Sequence, residues 1–561
     1  MKPRSEVWRD IELQSFDVCV IGGGATGAGC ALDAQLRGFN TVLVELRDFA
    51  SGTSSASTKL AHGGVRYLQQ AITRFDKAQF RVVQAALRER KVMIANAPHL
   101  AEASDFLIPC FRPWEVWYYE LGLKLYDWIA GSSVLGPTRV LTRDQALARL
   151  PKLRRGSLRG AVIYKDGQFD DARYCLALVK AFTDAGGAAI NYSKVGGFEK
   201  GADGKLAAAF VEDTLTGAQT PVRARAFVNA TGPFSDSLRL LADPQAQPRL
   251  VLSKGAHILL PLERAGPGLL IPKTKDGRVI FAIPWMDRLL VGTTDELVRD
   301  TEVSVTQRDA DYLLSYLNHY STHSYSRADV VSAFAGVRPL VRSKLSRRTK
   351  DLIREHEVEV GGTSGLISIL GGKWTSYRAM AEDTINVVEE KLGKRGPCRT
   401  ASYRLPGSDG YRLDLWRSIA ADTGLHEATA RHLARKYGSE ASSVLALARE
   451  RPEWRAALVP DAAPIQAEVV YGARHEMAMS VEDVLARRLG VQFYSWDLAL
   501  KAASDVAELL GDEWNWSEDQ RWRAVQDYVG RLQRLMWALQ GQERQSQRVS
   551  AGKSGGAAGH A

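Results

Sequence analysis

A strand, a glycine-rich turn, a helix and a second strand follow one another directly near the start of the chain. In the run FDVCVIGGGATGAGCALDAQLRGFNTVLVE, an apolar strand at 16–21 precedes the glycines. A helix spans about 25–37, where Gly38 ends it, and a second apolar strand lies at 41–44. This order is typical of a Rossmann-like sheet with helices on its faces. It predicts an α/β fold for the N-terminal part of the chain.

The glycines of this unit have the spacing G-x-G-x-x-G. Glycine allows a tight turn and the close approach of a pyrophosphate, to which the helix N-terminus offers free N–H groups and positive potential. Glu45 ends the second strand, where a carboxylate accepts from ribose hydroxyls and repels a 2′-phosphate. The spacing alone is a weak signal, but the complete unit predicts a dinucleotide site. The predicted contacts are Gly22, Gly24, Ala25, Thr26, Gly27 and Glu45.

The unit does not distinguish FAD from NAD. Its position at the start of the chain favours a flavoprotein, because the ADP half of FAD binds at such a position in many of them. A second segment, FVNATGPFSD at 227–236, leads from a strand into the small residues Ala230, Thr231 and Gly232. These suit close passage beside a cofactor, although small residues are also common at strand ends.

Composition restricts the partners and the compartment. The 561 residues carry a net charge of +10, which favours an anionic partner: a phosphate substrate, anionic lipid or nucleic acid. The chain has five cysteines and no C-x-x-C motif, so we expect no disulfide framework. The N-terminal residues lack the apolar run of a signal peptide, and no apolar stretch is long enough to span a bilayer. We expect a cytoplasmic protein whose membrane contact is peripheral.

Strand and helix patterns divide the chain. Strands are predicted at 188–192, 256–262 and 365–372, hairpins at 206–230 and 278–294, and helices over 68–97 and from about Trp374. Helical periodicity alone continues from about 405 to 540, and the polar end is rich in small residues. We therefore expect a mixed α/β unit at 14–400, a helical C-terminal domain at 405–540 and a disordered tail at 541–561.

One polar stretch has no role in core packing. In STKLAHGGVRYL, at 57–68, two adjacent glycines stand between His62 and Arg66. Paired glycines indicate that something approaches the backbone closely. An arginine beside them offers the fork-shaped donors that fit a phosphate or carboxylate.

Together these motifs resemble FAD-dependent glycerol-3-phosphate dehydrogenases of the aerobic, quinone-linked type. The segments that carry the resemblance, in the family's order, are IGGGATGAG, STKLAHGGVRYL, VNATGPF, SKGAHILLP, FAIPWMDRLLVGTTD, AGVRPL and ILGGKWTSYR. They cover about 14–390, and AEVVYGARHEMAMSVEDVLARR resembles the family's C-terminal domain. The resemblance implies FAD, oxidation of sn-glycerol 3-phosphate to dihydroxyacetone phosphate, and transfer of electrons to a membrane quinone.

The resemblance also implies an architecture. It is an α/β FAD-binding (Rossmann-like) domain with an inserted mixed-sheet substrate domain, followed by an all-α C-terminal domain. The FAD-binding segments would be about 14–100, 150–250 and 345–395. The substrate or cap segments would be about 100–150 and 250–345.

Site residues follow from the matching positions. Cofactor contacts implied beyond the glycine turn are Ser57, Thr58, Lys59, His62, Gly63, Gly64, Ala230, Thr231, Gly232, Gly372, Lys373 and Thr375. Substrate contacts are Arg66, Tyr67, Arg338, Arg354 and Lys373. Arg338 and Lys373 are also expected in catalysis, with His257 as the general base and His62 as the second choice. Thr375 is expected to cap a helix whose N-terminus points at the pyrimidine end of the flavin. No metal cluster or Ser-His-Asp set stands out.

An aromatic segment at 111–131 suggests a membrane contact. Its residues Trp114, Tyr118, Leu121, Leu125 and Trp128 recur at helical spacing and form one apolar face. Glu115, Lys124 and Asp127 lie elsewhere on the helix. Interfacial helices use Trp and Tyr in this way, whereas a helix that faces the core gives the same periodicity. The resemblance favours the interface with an anionic membrane.

Two alternatives remain open. A glycerol-3-phosphate oxidase, which passes electrons to oxygen, would have nearly the same site. An FAD-containing RNA-binding protein is suggested only by the basic charge. No familiar RNA-binding motif accompanies that charge, and we expect no nucleic-acid partner. The sequence allows a homodimer but does not indicate one.

Overall fold

The computed structural model of the chain describes residues 1–63, 77–272, 274–342, 356–460 and 462–541. The strands are β1 Ser15–Ile21, β2 Thr41–Val44, β3 Leu60–Ala61, β4 Ala101–Cys110, β5 Arg139–Thr142, β6 Gly160–Phe169, β7 Ala188–Ile190, β8 Ser193–Lys200, β9 Leu206–Asp213, β10 Gln219–Asn229, β11 Leu250–Pro261, β12 Gly268–Ile271, β13 Ile280–Trp285, β14 Arg288–Gly292, β15 Glu296–Val298, β16 Ser332–Val341, β17 His356–Val360 and β18 Ile367–Gly371.

Helices cover the first sheet and form the C-terminal part of the chain. They are α1 Arg4–Leu13, α2 Ala25–Leu36, α3 Lys77–Asn96, α4 Pro113–Ala130, α5 Arg143–Arg149, α6 Asp171–Asp184, α7 Ser235–Ala242, α8 Gln307–Tyr320, α9 Tyr377–Leu392, α10 Leu415–Thr423, α11 Glu427–Tyr437, α12 Ala441–Glu450, α13 Gln466–Glu476, α14 Val491–Tyr494, α15 Trp496–Trp514 and α16 Glu518–Gln540. A π-helical turn, Asp483–Arg488, lies between α13 and α14.

The first sheet has the order β17-β18-β10-β1-β2-β7, and β9 and β8 extend it from β10. The strands from β18 to β7 are parallel, and β1 lies between β10 and β2. All four residues of β2 are buried, as expected for a parallel strand covered on both faces. The predicted Rossmann-like fold is confirmed, and it places the glycine turn at the carboxyl end of β1.

The second sheet is mixed and has ten strands, in the order β15-β11-β14-β13-β12-β4-β6-β3, with β16 beside β11 and β5 beside β6. The predicted hairpin β13–β14 is confirmed. Its two connecting residues, Met286 and Asp287, have φ of 46° and 57°, which is the left-handed geometry that a two-residue hairpin turn uses. Strand β6 belongs to this sheet, although its residues fall within the 150–250 segment that we expected in the FAD-binding part.

The long strands β4, β6 and β16 were not predicted. In β6, for example, Asp166 is buried and accepts a hydrogen bond from Arg90 of α3 at 2.7 Å. A polar residue that is satisfied inside the protein breaks the apolar pattern on which a sequence-based strand prediction depends. Helix α3 ends at Asn96, close to the expected end before Pro98, and the expected part before residue 77 lies outside the described residues.

The C-terminal helices share a core with the second sheet. Buried residues of α13 and the π-helical turn, such as Val469 and Leu485, lie in one apolar cluster with Ile258 of β11 and Val291 of β14. The all-α character of this region is confirmed. The expected tail at 541–561 lies outside the described residues beyond Gly541. Among the described helices, none combines the length and apolarity needed to cross a membrane.

Candidate cofactor and substrate site

A cavity of about 1050 Å³ lies where the first sheet, the second sheet and the C-terminal helices meet. It begins at the glycine turn, follows the loop 45–56 and reaches the segment 371–374. Ala230, Thr231 and Gly232 line it, as does β16 between Ala333 and Val337. Its size suits a dinucleotide rather than a small ligand alone.

The three glycines of the turn have different roles. Gly22 has φ of 111°, and a Cβ there would lie 2.6 Å from the carbonyl oxygen of Ala230. A Cβ on Gly27 would lie 1.8 Å from the carbonyl oxygen of Gly22. These two glycines are therefore required by the packing of the turn itself. Gly24 instead lines the cavity immediately before α2, and its Cβ would meet only the Ser54 side chain, at 2.9 Å from Oγ.

Glu45, just after β2, stabilises the glycine turn by hydrogen bonding. Glu45 accepts from the Gly23 N–H at 2.5 Å and from the Arg47 N–H at 2.9 Å. Burial raises the pKa of the Glu45 carboxyl, although these two donors act in the opposite direction. Glu45 also lines the cavity, so each oxygen can accept a further bond from a ribose hydroxyl.

This end of the cavity fits the diphosphate of FAD. Helix α2 starts at Ala25, and its N-cap residue, Gly24, gives no side-chain hydrogen bond. The Ala25 N–H donates to Ser54 Oγ at 2.9 Å, and Thr26 lines the cavity beside it. A helix N-terminus that opens into a large cavity through glycine is suited to an anionic diphosphate. The residues that would hold FAD are those predicted from the glycine unit.

The cavity is also lined by Gly371, Gly372, Lys373 and Trp374. Gly372 has φ of 86°, and a Cβ there would lie 2.4 Å from the Met380 side chain. Trp374 Nε1 donates to the carbonyl oxygen of Ser54 at 2.9 Å, which fixes its ring against the loop 45–56. The sequence analysis did not single out Trp374, although it follows the Gly-Gly-Lys segment directly.

The expected cap by Thr375 is wrong. A 3-10 turn at 374–376 precedes α9, whose N-cap is Ser376, so Thr375 lies inside the turn rather than at the helix start. Its hydroxyl accepts from the His62 N–H at 3.3 Å instead. Thr375 thus joins the cavity-lining residues 371–374 to the segment 57–63, which leads to the paired glycines.

Ser57 and Lys59 anchor their segment through Asp171. Ser57 Oγ donates to Asp171 Oδ2 at 2.7 Å, and Lys59 Nζ donates to Asp171 Oδ1 at 2.5 Å. Lys59 is fully buried, and its Nζ lies about 5 Å from the ring centres of Trp285, Phe334 and Phe493. The Lys59 side chain therefore points into the protein. The neighbouring residues Ser55 and Ala56 line the cavity.

The two candidate bases lie close to this segment. His257 Nε2 is 2.9 Å from Thr58 Oγ1, and its ring stacks on Phe334 at 4.8 Å. Burial, then Arg338 and Lys59, hold the pKa of His257 well below its ordinary value, so the ring is neutral. Phe334 lines the cavity, whereas His257 itself lies behind it. His62 lies 6.4 Å from Phe281 between ring centres and precedes Gly63, whose N–H donates to Tyr126 Oη at 2.9 Å.

Arg338 lies on β16 opposite Ser253 of β11. Its guanidinium donates to Thr293 Oγ1 at 2.9 Å and is 3.8 Å from Asp295. A Cβ on Gly255 would lie 2.3 Å from Arg338 Nη2, so this glycine makes room for the guanidinium. Gly64, Arg66, Tyr67 and Arg354 lie outside the described residues. Their predicted contacts with cofactor and substrate stay predictions.

The C-terminal helices contribute lining that the sequence analysis missed. These residues are Glu482, Ala486, Arg487, Gln492, Phe493, Trp496, Arg531, Arg534 and Leu535. Nothing in their spacing marks a cofactor contact, because they come from separate turns and helices that only the packing against the second sheet brings together. The sequence offers one clue to these contacts: the aromatic residues Phe493 and Trp496 lie close to the adjacent arginines of VLARRLGVQF.

Comparison with known proteins agrees with this geometry. The family model "FAD dependent oxidoreductase" matches residues 17–378, and the model "C-terminal domain of alpha-glycerophosphate oxidase" matches residues 398–521. The crystal structure of a glycerol-3-phosphate dehydrogenase from Bacillus halodurans, complexed with FAD, is 32% identical, with a TM-score of 0.77 over 94% of this chain and 97% of that one.

Curated relatives give the same result. A probable mitochondrial glycerol-3-phosphate dehydrogenase of Caenorhabditis elegans is 43% identical over 91% of this chain and 72% of its own length. A mitochondrial glycerol-3-phosphate dehydrogenase of Arabidopsis thaliana is 38% identical over 91% of this chain and 85% of its own length. With the Gly22–Gly27 turn, the large cavity and the second mixed sheet, these likenesses show that the chain belongs to the family of FAD-dependent glycerol-3-phosphate dehydrogenases.

Proposed function

We propose that the chain oxidises sn-glycerol 3-phosphate to dihydroxyacetone phosphate in this cavity and passes the electrons to a membrane quinone. The observation that carries the proposal is one cavity lined by both the glycine turn and Lys373. Strand β16 lines it as well, although Arg338 of that strand is not itself a lining residue. A dianionic substrate phosphate needs such cationic groups near the flavin.

The chain's own residues bind the substrate and receive its proton. Bound FAD supplies the acceptor for the hydride that leaves carbon 2. Arg338, with the predicted Arg66, holds the phosphate, and Lys373 lines the cavity. The hydroxyl proton goes to a base, for which His257, fixed by Thr58, is the first candidate. Burial lowers the pKa of His257, which keeps it neutral but weakens it as a proton acceptor, so His62 is tested beside it. Separate His257→Gln and His62→Gln variants, compared by their pH–rate profiles, would assign the base.

A substrate panel tests the proposed activity. Purified protein should reduce an electron-accepting dye with glycerol 3-phosphate but only weakly with glycerol, lactate or glycine, because these lack the phosphate that the arginines hold. Equal rates with glycine or lactate would contradict the assignment. Oxygen consumption with peroxide formation, at a rate that added quinone does not increase, would identify the oxidase alternative instead.

The membrane part of the proposal rests on helix α4. Its large apolar residues Trp114, Trp117, Tyr118, Leu121 and Trp128 are between 45% and 75% exposed. Lys124 lies on the same exposed side, whereas Leu125, which we expected on this face, packs against the buried Tyr126 and Ile129. An aromatic stripe that faces outward with a lysine suits an anionic membrane surface. We propose that α4 holds the enzyme there, on the cytoplasmic side.

Removing the stripe should release the enzyme from lipid. The triple variant Trp114→Ser, Tyr118→Ser and Trp128→Ser should bind anionic liposomes at least about tenfold more weakly, because each aromatic side chain loses its burial in lipid. Its dye-linked activity should survive, since these residues do not line the cavity. The matched control is Trp522→Ser on α16, another exposed tryptophan, which should sediment like the wild type. Unchanged sedimentation of the triple variant would refute the role of α4.

A further inference from the structure

The loop at 45–56 is held by side chains packed behind it, and one of them, Arg487, also lines the cavity. Glu45, Leu46, Arg47 and the stretch 51–56 line the cavity, whereas Asp48, Phe49 and Ala50 point away from it. All three of these residues are almost completely buried. An aspartate with no exposure needs partners that compensate its charge, and their position shows what the loop is fastened to.

Those partners come from the C-terminal part of the chain. The Asp48 carboxylate accepts from Arg487 Nε and from both Nη atoms of Arg488, one of them at 2.9 Å. Asn191 Nδ2 donates to it at 3.2 Å. Burial would raise the pKa of Asp48, but Arg488 and Arg487 hold it below its ordinary value, so the carboxylate stays ionised. Two arginines from the π-helical turn thus hold one acid of the cofactor loop.

The contact is part of a buried network that crosses between the two parts of the chain. Arg488 Nη2 also donates to the carbonyl oxygen of Glu476 at 2.5 Å, and Arg487 Nη2 donates to Asp483 Oδ1 at 2.5 Å. Glu476 in turn accepts from Arg173 of α6 at 2.7 Å. The three acids and three arginines are each no more than 5% exposed. Removal of one charge leaves its partner buried without compensation.

The held loop is also tied to the glycine turn. The Ala50 N–H donates to the carbonyl oxygen of Gly23 at 3.1 Å, and Glu45 accepts from the Gly23 N–H. The Ser51 N–H donates to the carbonyl oxygen of Asp48 at 3.1 Å. A displacement of Asp48 would therefore reach both Glu45 and the turn that receives the diphosphate.

We propose that Arg487 and Arg488 are positioning residues for FAD, so that the C-terminal domain organises the dinucleotide site by holding Asp48. The proposal rests on FAD occupying this cavity. The two arginines fix a loop conformation in which Glu45 and Gly24 are ready for the cofactor. By linkage, bound FAD then stabilises the contact between the domains as much as the contact strengthens FAD binding.

The test is a measurement of FAD affinity on variants of this contact. Asp48→Asn in the full chain should raise the dissociation constant of FAD for the apoprotein about tenfold or more, because charged hydrogen bonds from two arginines are lost. Arg488→Lys, which keeps the charge but not the two-pronged geometry, should change it in the same direction by a smaller factor. FAD binding by both variants is measured by flavin fluorescence, and the thermal unfolding midpoint of each apoprotein is measured as well.

The matched control is Lys436→Met. Lys436 joins α11 to Asp170 at 2.7 Å, so it is also a buried ion pair between the same two parts of the chain, but its partner lies outside the loop 45–56. It should lower the unfolding midpoint without changing FAD affinity more than about twofold. Equal losses of affinity in Asp48→Asn and Lys436→Met would overturn the proposal, because the network would then act only on stability.

The remaining outcomes are also decisive. If Asp48→Asn does not fold, Arg488→Lys alone decides, and an FAD dissociation constant within twofold of the wild type overturns the proposal. Dye-linked oxidation of glycerol 3-phosphate by the wild type is measured separately. A wild type that binds FAD but does not oxidise glycerol 3-phosphate would refute the proposed function and leave the role of Arg487 and Arg488 intact.

Discussion

Replacement of Gly24 by valine should give a folded protein that purifies without FAD. Gly24 lies at the start of α2 in the cavity wall and has φ of −79°, a value that valine accepts. Its side chain would occupy the space of the diphosphate and press against Ser54, whose Oγ lies 2.9 Å from the position of a Cβ. Overpacking of about 1–3 kcal/mol corresponds to a loss of affinity of roughly fivefold to more than a hundredfold, before the lost phosphate contacts are added.

Two variants separate the diphosphate from Ser54. Gly24→Ala should weaken FAD binding less than valine, and the double variant with Ser54→Ala removes the oxygen that the new methyl group meets. If affinity stays low in the double variant, the methyl group competes with the cofactor itself. Full FAD content of Gly24→Val, measured from the visible spectrum after gel filtration, would remove the glycine turn from the cofactor site. Circular dichroism shows whether the protein has folded.

The part of the fold closest to this turn could be predicted because its signals are local. Gly22 has a φ of 111°, a Cβ on Gly27 would clash with the carbonyl oxygen of Gly22, and the apolar strand at 41–44 is buried on both faces. The hairpin between β13 and β14 was predicted for the same reason, since its turn geometry depends on two adjacent residues. Patterns of this kind are complete within about twenty residues of sequence.

Long-range contacts explain what could not be predicted. Strand β6 carries Asp166 inside the protein, where Arg90, on a distant helix, compensates its charge. Lys59 follows two residues that we expected to lie along the flavin, yet Asp171 draws its side chain into the interior. Asp48 looks like an ordinary loop aspartate until Arg487 and Arg488 are placed beside it. The partner that decides each role lies more than 70 positions away in the chain.

The second large effect concerns the substrate phosphate. Arg66→Met should lower kcat/KM for glycerol 3-phosphate about 30- to 4,000-fold, because truncation of one member of a desolvated charge pair costs about 2–5 kcal/mol. Arg338→Met should lower kcat/KM by a factor in the same range if both arginines hold the phosphate. Part of the loss should appear in KM, since the phosphate is present in the ground state and in the transition state alike.

The double variant tests whether the two arginines share one phosphate. Residues that contact the same group are not additive, so Arg66→Met with Arg338→Met should lose less than the product of the single losses. Arg338→Lys is the control for charge, because it keeps the cation but cannot keep the bond to Thr293 and the phosphate together. FAD content is measured in every variant, so that loss of cofactor is not mistaken for loss of substrate binding.

Unphosphorylated glycerol gives the decisive contrast for Arg66 and Arg338. Their removal should change the rate with glycerol far less than the rate with glycerol 3-phosphate, because glycerol has no group for either guanidinium to hold. Equal losses on both substrates would mean that these arginines serve the flavin or the fold. A loss of less than threefold on glycerol 3-phosphate would place the substituted arginine outside the substrate site. The phosphate would then be held by other cations, of which Lys373 in the cavity wall is the first to test.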